Sequence, residues 1–180
     1  MKVNPDLKQI VKQYHSSRLT SKDDSFLRGT HRVDLEHLEQ LTCEINTKGG
    51  SKQYTFISDE PRERGGHEKG AAPLQYFLAG AGSCLLTQYA RLAIAEDMAI
   101  DTLALSAIGH IDRSLEGAFT DIIFEVRINS EEPNERIVDL ASKAENHCFV
   151  SNTLRKAIPM KTKIYNNTAL LHTFESSPEN

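Results

Sequence analysis

The sequence lacks the residue spacings that mark most metal and phosphate sites. Its three cysteines, Cys43, Cys84 and Cys148, are too far apart for a Cys-x-x-Cys pair, which excludes a zinc knuckle and a local redox motif. None of the seven histidines forms a His-x-x-x-His pair, so no metal is expected. Gly65-Gly66 is not followed by Lys-Ser or Lys-Thr, which excludes a phosphate loop and predicts a turn. Basic charge is scarce as well. Twenty-one Lys and Arg against 25 Asp and Glu leave a net charge of −4, which argues against a nucleic-acid partner. No apolar run approaches the roughly 20 residues of a membrane-spanning helix, so no membrane partner is expected. Residues 1–6 run into polar sequence and lack the apolar stretch of a secretory leader. A small, odd number of cysteines suits a reducing compartment, and the expected location is cytoplasmic.

What is present reads as one α/β or α+β domain with an appendage. The 180 residues are 39% hydrophobic and 26% charged, enough for a chain of this size to remove about 70% of its unfolded surface from water. Residues 4–18 carry Leu7, Ile10, Val11 and Tyr14 at helical spacing, with Asn4 as cap and Pro5 in the first turn. The polar run Ser16 to Asp24 reads as a linker, which makes 1–25 an extension and 26–180 the main domain. Strand-like alternation follows, clearest at Leu41, Cys43 and Ile45, with Gly49-Gly50 as a hairpin turn before Tyr54.

The strongest helix spans 73–97. Apolar residues cover most of its circumference as far as Arg91, which predicts burial nearly all round. Two alternating strands, Leu103–Ile111 and Ile122–Ile128, are joined by a turn at Leu115–Ala118. A helix opened by Ser130 and Pro133, a short helix over 150–157 and a closing strand over 158–165 complete the chain. The pattern predicts an α+β fold: an antiparallel or mixed sheet packed on one long central helix.

Cys84 and Cys148 are either ordinary core residues or a pair brought together for thiol chemistry, and their spacing does not choose. A thiolate attacks a peroxide oxygen and leaves a sulfenic acid, which a second thiol within bonding reach can condense with. Cys84 lies about three turns into its helix, beyond reach of the N-terminal dipole, so a nearby arginine would be needed to lower its pKa. Gly80, Gly82 and Ser83 either thin the helix for a substrate or mark a tight helix contact. Cys43 reads as core, His67 as solvated, and Glu145 as a surface charge or a partner near Cys148. His147 is adjacent to Cys148, and adjacent helical residues point apart.

Two segments carry a family resemblance. The first runs Ser58-Asp59-Glu60-Pro61, Gly65-Gly66, Lys69-Gly70 and Pro73-Leu74-Gln75-Tyr76-Phe77-Leu78-Ala79-Gly80-Ala81-Gly82-Ser83-Cys84. The second runs Ala144-Glu145-Asn146-His147-Cys148-Phe149-Val150, with Leu154 and Ala157-Ile158-Pro159 beyond. Together they resemble the OsmC/Ohr family, the osmotically inducible and organic-hydroperoxide-resistance proteins, in its less-characterised OsmC-like branch. The 64-residue separation of the cysteines also resembles that family. The resemblance covers roughly residues 26–166 and leaves out the N-terminal helix.

It implies an intertwined homodimer whose sheet wraps the central helix, with active sites at the subunit interface. It further implies a cysteine-based organic hydroperoxide reductase without a bound cofactor. Cys84 would be the peroxidatic nucleophile and Cys148 the resolving thiol, reset by an external dithiol such as a lipoyl-bearing protein. In the family a glutamate near the position of Leu74 or Gln75 holds an arginine against the nucleophile. Here neither residue is acidic. Gln75 is the neutral candidate for that role and Arg32, with Arg28 as its alternative, the candidate cation. Phe77, Leu85 and Phe149 would line an apolar pocket. A non-catalytic redox sensor or binder of a small apolar ligand is the alternative on the same fold.

Overall fold

The computed structural model describes residues 3–114, 117–156 and 158–176. Helix α1, Pro5–Thr20, starts where the sequence predicts, with the Asp6 amide donating to Asn4 Oδ1 at 2.9 Å. It runs past the expected linker boundary at Ser16. The Ser21 amide reaches the Ser17 carbonyl and the Thr20 hydroxyl the Ser16 carbonyl, which adds a final turn. A single turn, α2 (Asp24–Leu27), is capped by Asp23 and occupies the end of that supposed linker.

Strands β1 (Val33–Glu39), β2 (Thr42–Gly49) and β3 (Lys52–Ser58) form an antiparallel sheet in chain order. The Gly49-Gly50 turn is as predicted, and Gly50 has φ +61°, a conformation that suits glycine. The polar segment after β3 is organised by Asp59, whose buried carboxylate accepts the amides of Glu60, His67 and Lys69 at 2.8, 2.9 and 3.1 Å. Burial pushes this carboxyl up, but the amide donors outweigh it and hold it below the ordinary carboxylate range. Gly66 is required there, because a Cβ would lie 1.7 Å from the Glu60 carbonyl oxygen.

Helix α3, Pro73–Ala95, leads into an antiparallel ribbon of β4 (Ile100–Ile111) and β5 (Phe119–Ser130). Of the predicted turn between them, Leu115 and Glu116 lie outside the described residues, as does Ala157 of the second motif. Leu103, Leu105, Phe124, Val126 and Ile128 of the ribbon pack on Leu85, Tyr89, Leu92 and Ala93. Helix α4 (Asn134–His147) closes this core with Leu140 and Ala144. Complete burial of Leu85, Leu92 and Leu140 is worth about 1.5–3 kcal/mol each. Helix α5 (Phe149–Leu154) and the hairpin β6 (Met160–Asn166) and β7 (Ala169–Ser176) end the chain. The sequence predicts only one closing strand. Strand β7 escapes notice because Leu170 and Leu171 are adjacent and break the alternation, while Asn167, at φ +53°, makes the turn.

The expected burial of α3 on all sides is incorrect for the single chain. Burial begins at Ala81, and Leu74 and Phe77 remain 45% and 41% exposed. The main neighbours of α3 are β4, α4, α1 and α5. The β1–β3 sheet meets it near its start, where the Tyr76 hydroxyl donates to the Ile57 carbonyl at 2.8 Å and the Tyr76 and Phe56 rings lie edge-on at 6.4 Å. Cys43 is half-buried in β2 rather than part of the core. Among the described residues no helix is long and apolar enough to cross a membrane.

Candidate active site

Two cysteines meet where α3 passes the junction of α4 and α5. Cys84 lies about three turns into α3, and Cys148 caps α5. Their sulfurs are 3.7 Å apart, within hydrogen-bonding reach of one another. The Ser151 amide donates to Cys148 Sγ at 3.4 Å. Cys148 is fully buried and Cys84 half-buried, so an incoming molecule meets Cys84 first.

Burial pushes the Cys84 thiol above its ordinary pKa. The Val150 amide at the start of α5 opposes this, as does that of Phe149 more weakly, while the hydrogen bond and charge of Cys148 add to the rise. No cation is among these influences. Within one chain these influences together favour the thiol over the thiolate.

Cys84 opens onto a cleft of about 840 Å³ whose walls include Tyr14, Phe26, Arg28, Arg91 and Phe149. Two of these walls come from the N-terminal helices. Helix α1 is fastened to the end of α3 by Lys8 and Lys12, which both pair with Asp97. The Arg18 guanidinium lies over the Phe149 ring, 4.6 Å from its centre, and Tyr14 meets Phe26 edge-on at 5.8 Å. The sequence singles out Arg91 only as the residue that ends an apolar run. Its position two turns beyond Cys84 on the same helix was the available signal.

The single chain does not bring Arg32 or Gln75 to the sulfurs. Arg32 is exposed and bound to Asp34 at 2.7 and 2.9 Å, beside a separate hollow lined by Asn46, Thr47 and Lys48. Gln75 accepts the Ala72 amide at 2.9 Å and so closes the first turn of α3. Arg28 reaches the cleft but is exposed and paired with Asp24. His147 lies 6.2 Å from His15 of α1, ring centre to ring centre. The His15 pKa is lowered, first by burial and then by His147. His67 is exposed, and its amide donates to Asp59. Glu145 pairs with Arg155 at 2.6 Å. Leu85 belongs to the core, Phe149 to the cleft, and Phe77 to a neighbouring cavity of about 610 Å³.

A central helix bearing one thiol, an antiparallel ribbon on that helix and a second thiol at a helix junction define an α+β thiol-pair protein. The chain belongs to the OsmC-like protein family, whose model matches residues 66–163. Solved structures share the fold. An OsmC-like protein from Mycoplasma pneumoniae has a TM-score of 0.63 and 18% identity over 72% of this chain and 89% of that one. An organic hydroperoxide resistance protein OsmC from Legionella pneumophila has a TM-score of 0.56 and 20% identity over 71% and 92%. An OsmC-like hydroperoxide resistance protein from Jannaschia has a TM-score of 0.51 and 16% identity over 77% and 94%. No curated protein matches the sequence.

Proposed function

We propose that this chain is a cysteine-based peroxidase that reduces organic hydroperoxides to alcohols, acting as a cytoplasmic homodimer. The observation that carries the reading is the thiol pair itself: Cys84 at a cleft, with buried Cys148 only 3.7 Å behind it. The Cys84 thiolate attacks the outer peroxide oxygen, the O–O bond breaks, and the alkoxide takes a proton and leaves as the alcohol. Cys84 is then a sulfenic acid. Cys148 attacks its sulfur, an S–S bond forms and water departs. An external dithiol, such as a lipoyl group, reduces the disulfide by exchange and is itself oxidised.

Homodimer formation is supported by the apolar side chains that one chain leaves uncovered. Leu35 is 65% exposed and Phe174 60%, together with Leu74 and Phe77 on α3. It also supplies a route for the missing cation. Arg32 is assigned to the Cys84 of the other protomer, where a guanidinium would favour the thiolate and orient the peroxide. Its pairing with Asp34 is solvent-exposed and so weakly held. The second lone pair of Gln75 Oε1 can accept that guanidinium while the first keeps the Ala72 amide.

A redox sensor or non-catalytic ligand binder is the second reading, favoured by the raised Cys84 pKa and the absence of a cation among its influences. Consumption of cumene hydroperoxide by the reduced protein with dihydrolipoamide separates the two. Many turnovers by the wild type and none by Cys84→Ser are expected for a peroxidase. A single oxidation without cycling would overturn that reading in favour of the sensor.

A further inference from the structure

Arg91 has no use in the mechanism above, yet it lines the Cys84 cleft. Its guanidinium is half-buried, donates to Gln88 Oε1 at 3.3 Å and lies 5.0 Å from the centre of the Tyr14 ring. Gln88 is itself almost completely buried. Among the described residues no carboxylate lies within ion-pair distance of Arg91, whereas Arg28, which lines the same cleft, is paired with Asp24. A cation placed in a cleft, oriented by a buried amide and an aromatic face and left without a counter-ion, is equipped to receive an anion from outside.

We propose that Arg91 is the carboxylate subsite of this cleft, and that the preferred ligand is an amphipathic acid whose reactive end lies at Cys84. The reasoning rests on the peroxidase reading for the reaction but not for the binding. Seven residues separate Cys84 from Arg91, which places them about 10 Å apart along the helix axis. Between them the helix lines the cleft with Thr87 and Gln88, while Tyr14, Phe26, Leu27 and Phe149 add apolar or aromatic lining. An acid group joined to the reacting end by an apolar chain of that reach fits both ends. Tyr14, Phe26 and Leu27 lie outside the family-matched residues 66–163. The N-terminal helices thereby give this chain a selectivity wall that the matched segment alone does not supply.

Binding is read without peroxide chemistry by calorimetric titration of the reduced wild type with ω-hydroxyoctanoate and with its methyl ester. The acid is expected to bind on the order of tenfold more tightly or better, the usual effect of one hydrogen bond to a charged group. Added salt should shrink that preference. In Arg91→Met, checked for folding by its thermal melt, acid and ester should bind alike, and Arg91→Lys should restore part of the preference. Equal binding of acid and ester by the wild type, or binding of neither, would overturn the subsite. So would an acid preference that survives Arg91→Met. If Arg91→Met does not fold, the salt dependence and Arg91→Lys still decide. Failure of peroxide turnover with the acid preference intact would reject the peroxidase reading and leave the subsite standing.

Discussion

Oxidation of this protein should stabilise it by an amount that the chain itself sets. Joining Cys84 to Cys148 closes a loop of 64 residues. The loss of loop entropy from the unfolded chain is then worth about 4 kcal/mol at 25 °C before any native strain is subtracted. The sulfurs must approach by about 1.6 Å, from 3.7 Å to the bonded distance of about 2.05 Å. Rotation of the half-buried Cys84 side chain can supply part of this, and the short α4–α5 junction at Cys148 the rest. At a denaturant slope of about 2 kcal/mol per molar urea, the midpoint should rise by about 2 M. The assay is urea unfolding of reduced and oxidised protein at one protein concentration, with the disulfide mapped by mass spectrometry. Cys148→Ser should show no rise after the same oxidation. A Cys84–Cys148 disulfide with no gain in midpoint, or a disulfide made instead through Cys43, would refute the reasoning.

Three further outcomes follow from other parts of the molecule. Leu92→Ala, at a core position 1% exposed, should cost about 2–5 kcal/mol in urea unfolding of the reduced protein. Cys148→Ala removes both the hydrogen bond and the charge that Cys148 places on Cys84, so the inflection in Cys84 alkylation against pH should fall, while burial keeps it from falling further. Docking of α1 should depend on Asp97, whose pKa is lowered to about 2 by its hydrogen bonds with Lys12 and then Lys8. Because that pKa is depressed in the folded state, the Asp97 contribution is complete above the unfolded value of 3.8 and is lost as pH falls toward 2. NMR shifts of α1 amides should report the loss in that window, and Asp97→Asn should speed tryptic cleavage at Arg18 at neutral pH.

Local chemistry was legible wherever a few neighbouring residues decide the outcome. Asn4 and Pro5 start α1, Gly49-Gly50 turns a hairpin, and Gly65-Gly66 turns the segment that Asp59 gathers. Alternation marks β4 and β5, and helical spacing marks α3 and α4. Both cysteines were singled out from the sequence by their surroundings, because each lies in a motif of contiguous residues. Strand β7 was lost to adjacent leucines, and the end of α1 to a polar run in which the Thr20 hydroxyl bonds back to the Ser16 carbonyl and the helix continues.

The sequence by itself determined most elements, though not α2 or β7, together with the turn glycines and the two candidate thiols, since these rest on backbone preference and side-chain period over short spans. Only the tertiary structure decided that Cys84 and Cys148 stand 3.7 Å apart, because α3 and the α4–α5 junction meet through packing across 64 residues. It alone left the first turns of α3 uncovered in one chain and set Arg91 and the N-terminal helices around the Cys84 cleft. Those facts depend on which apolar faces meet, and no local run of residues encodes that.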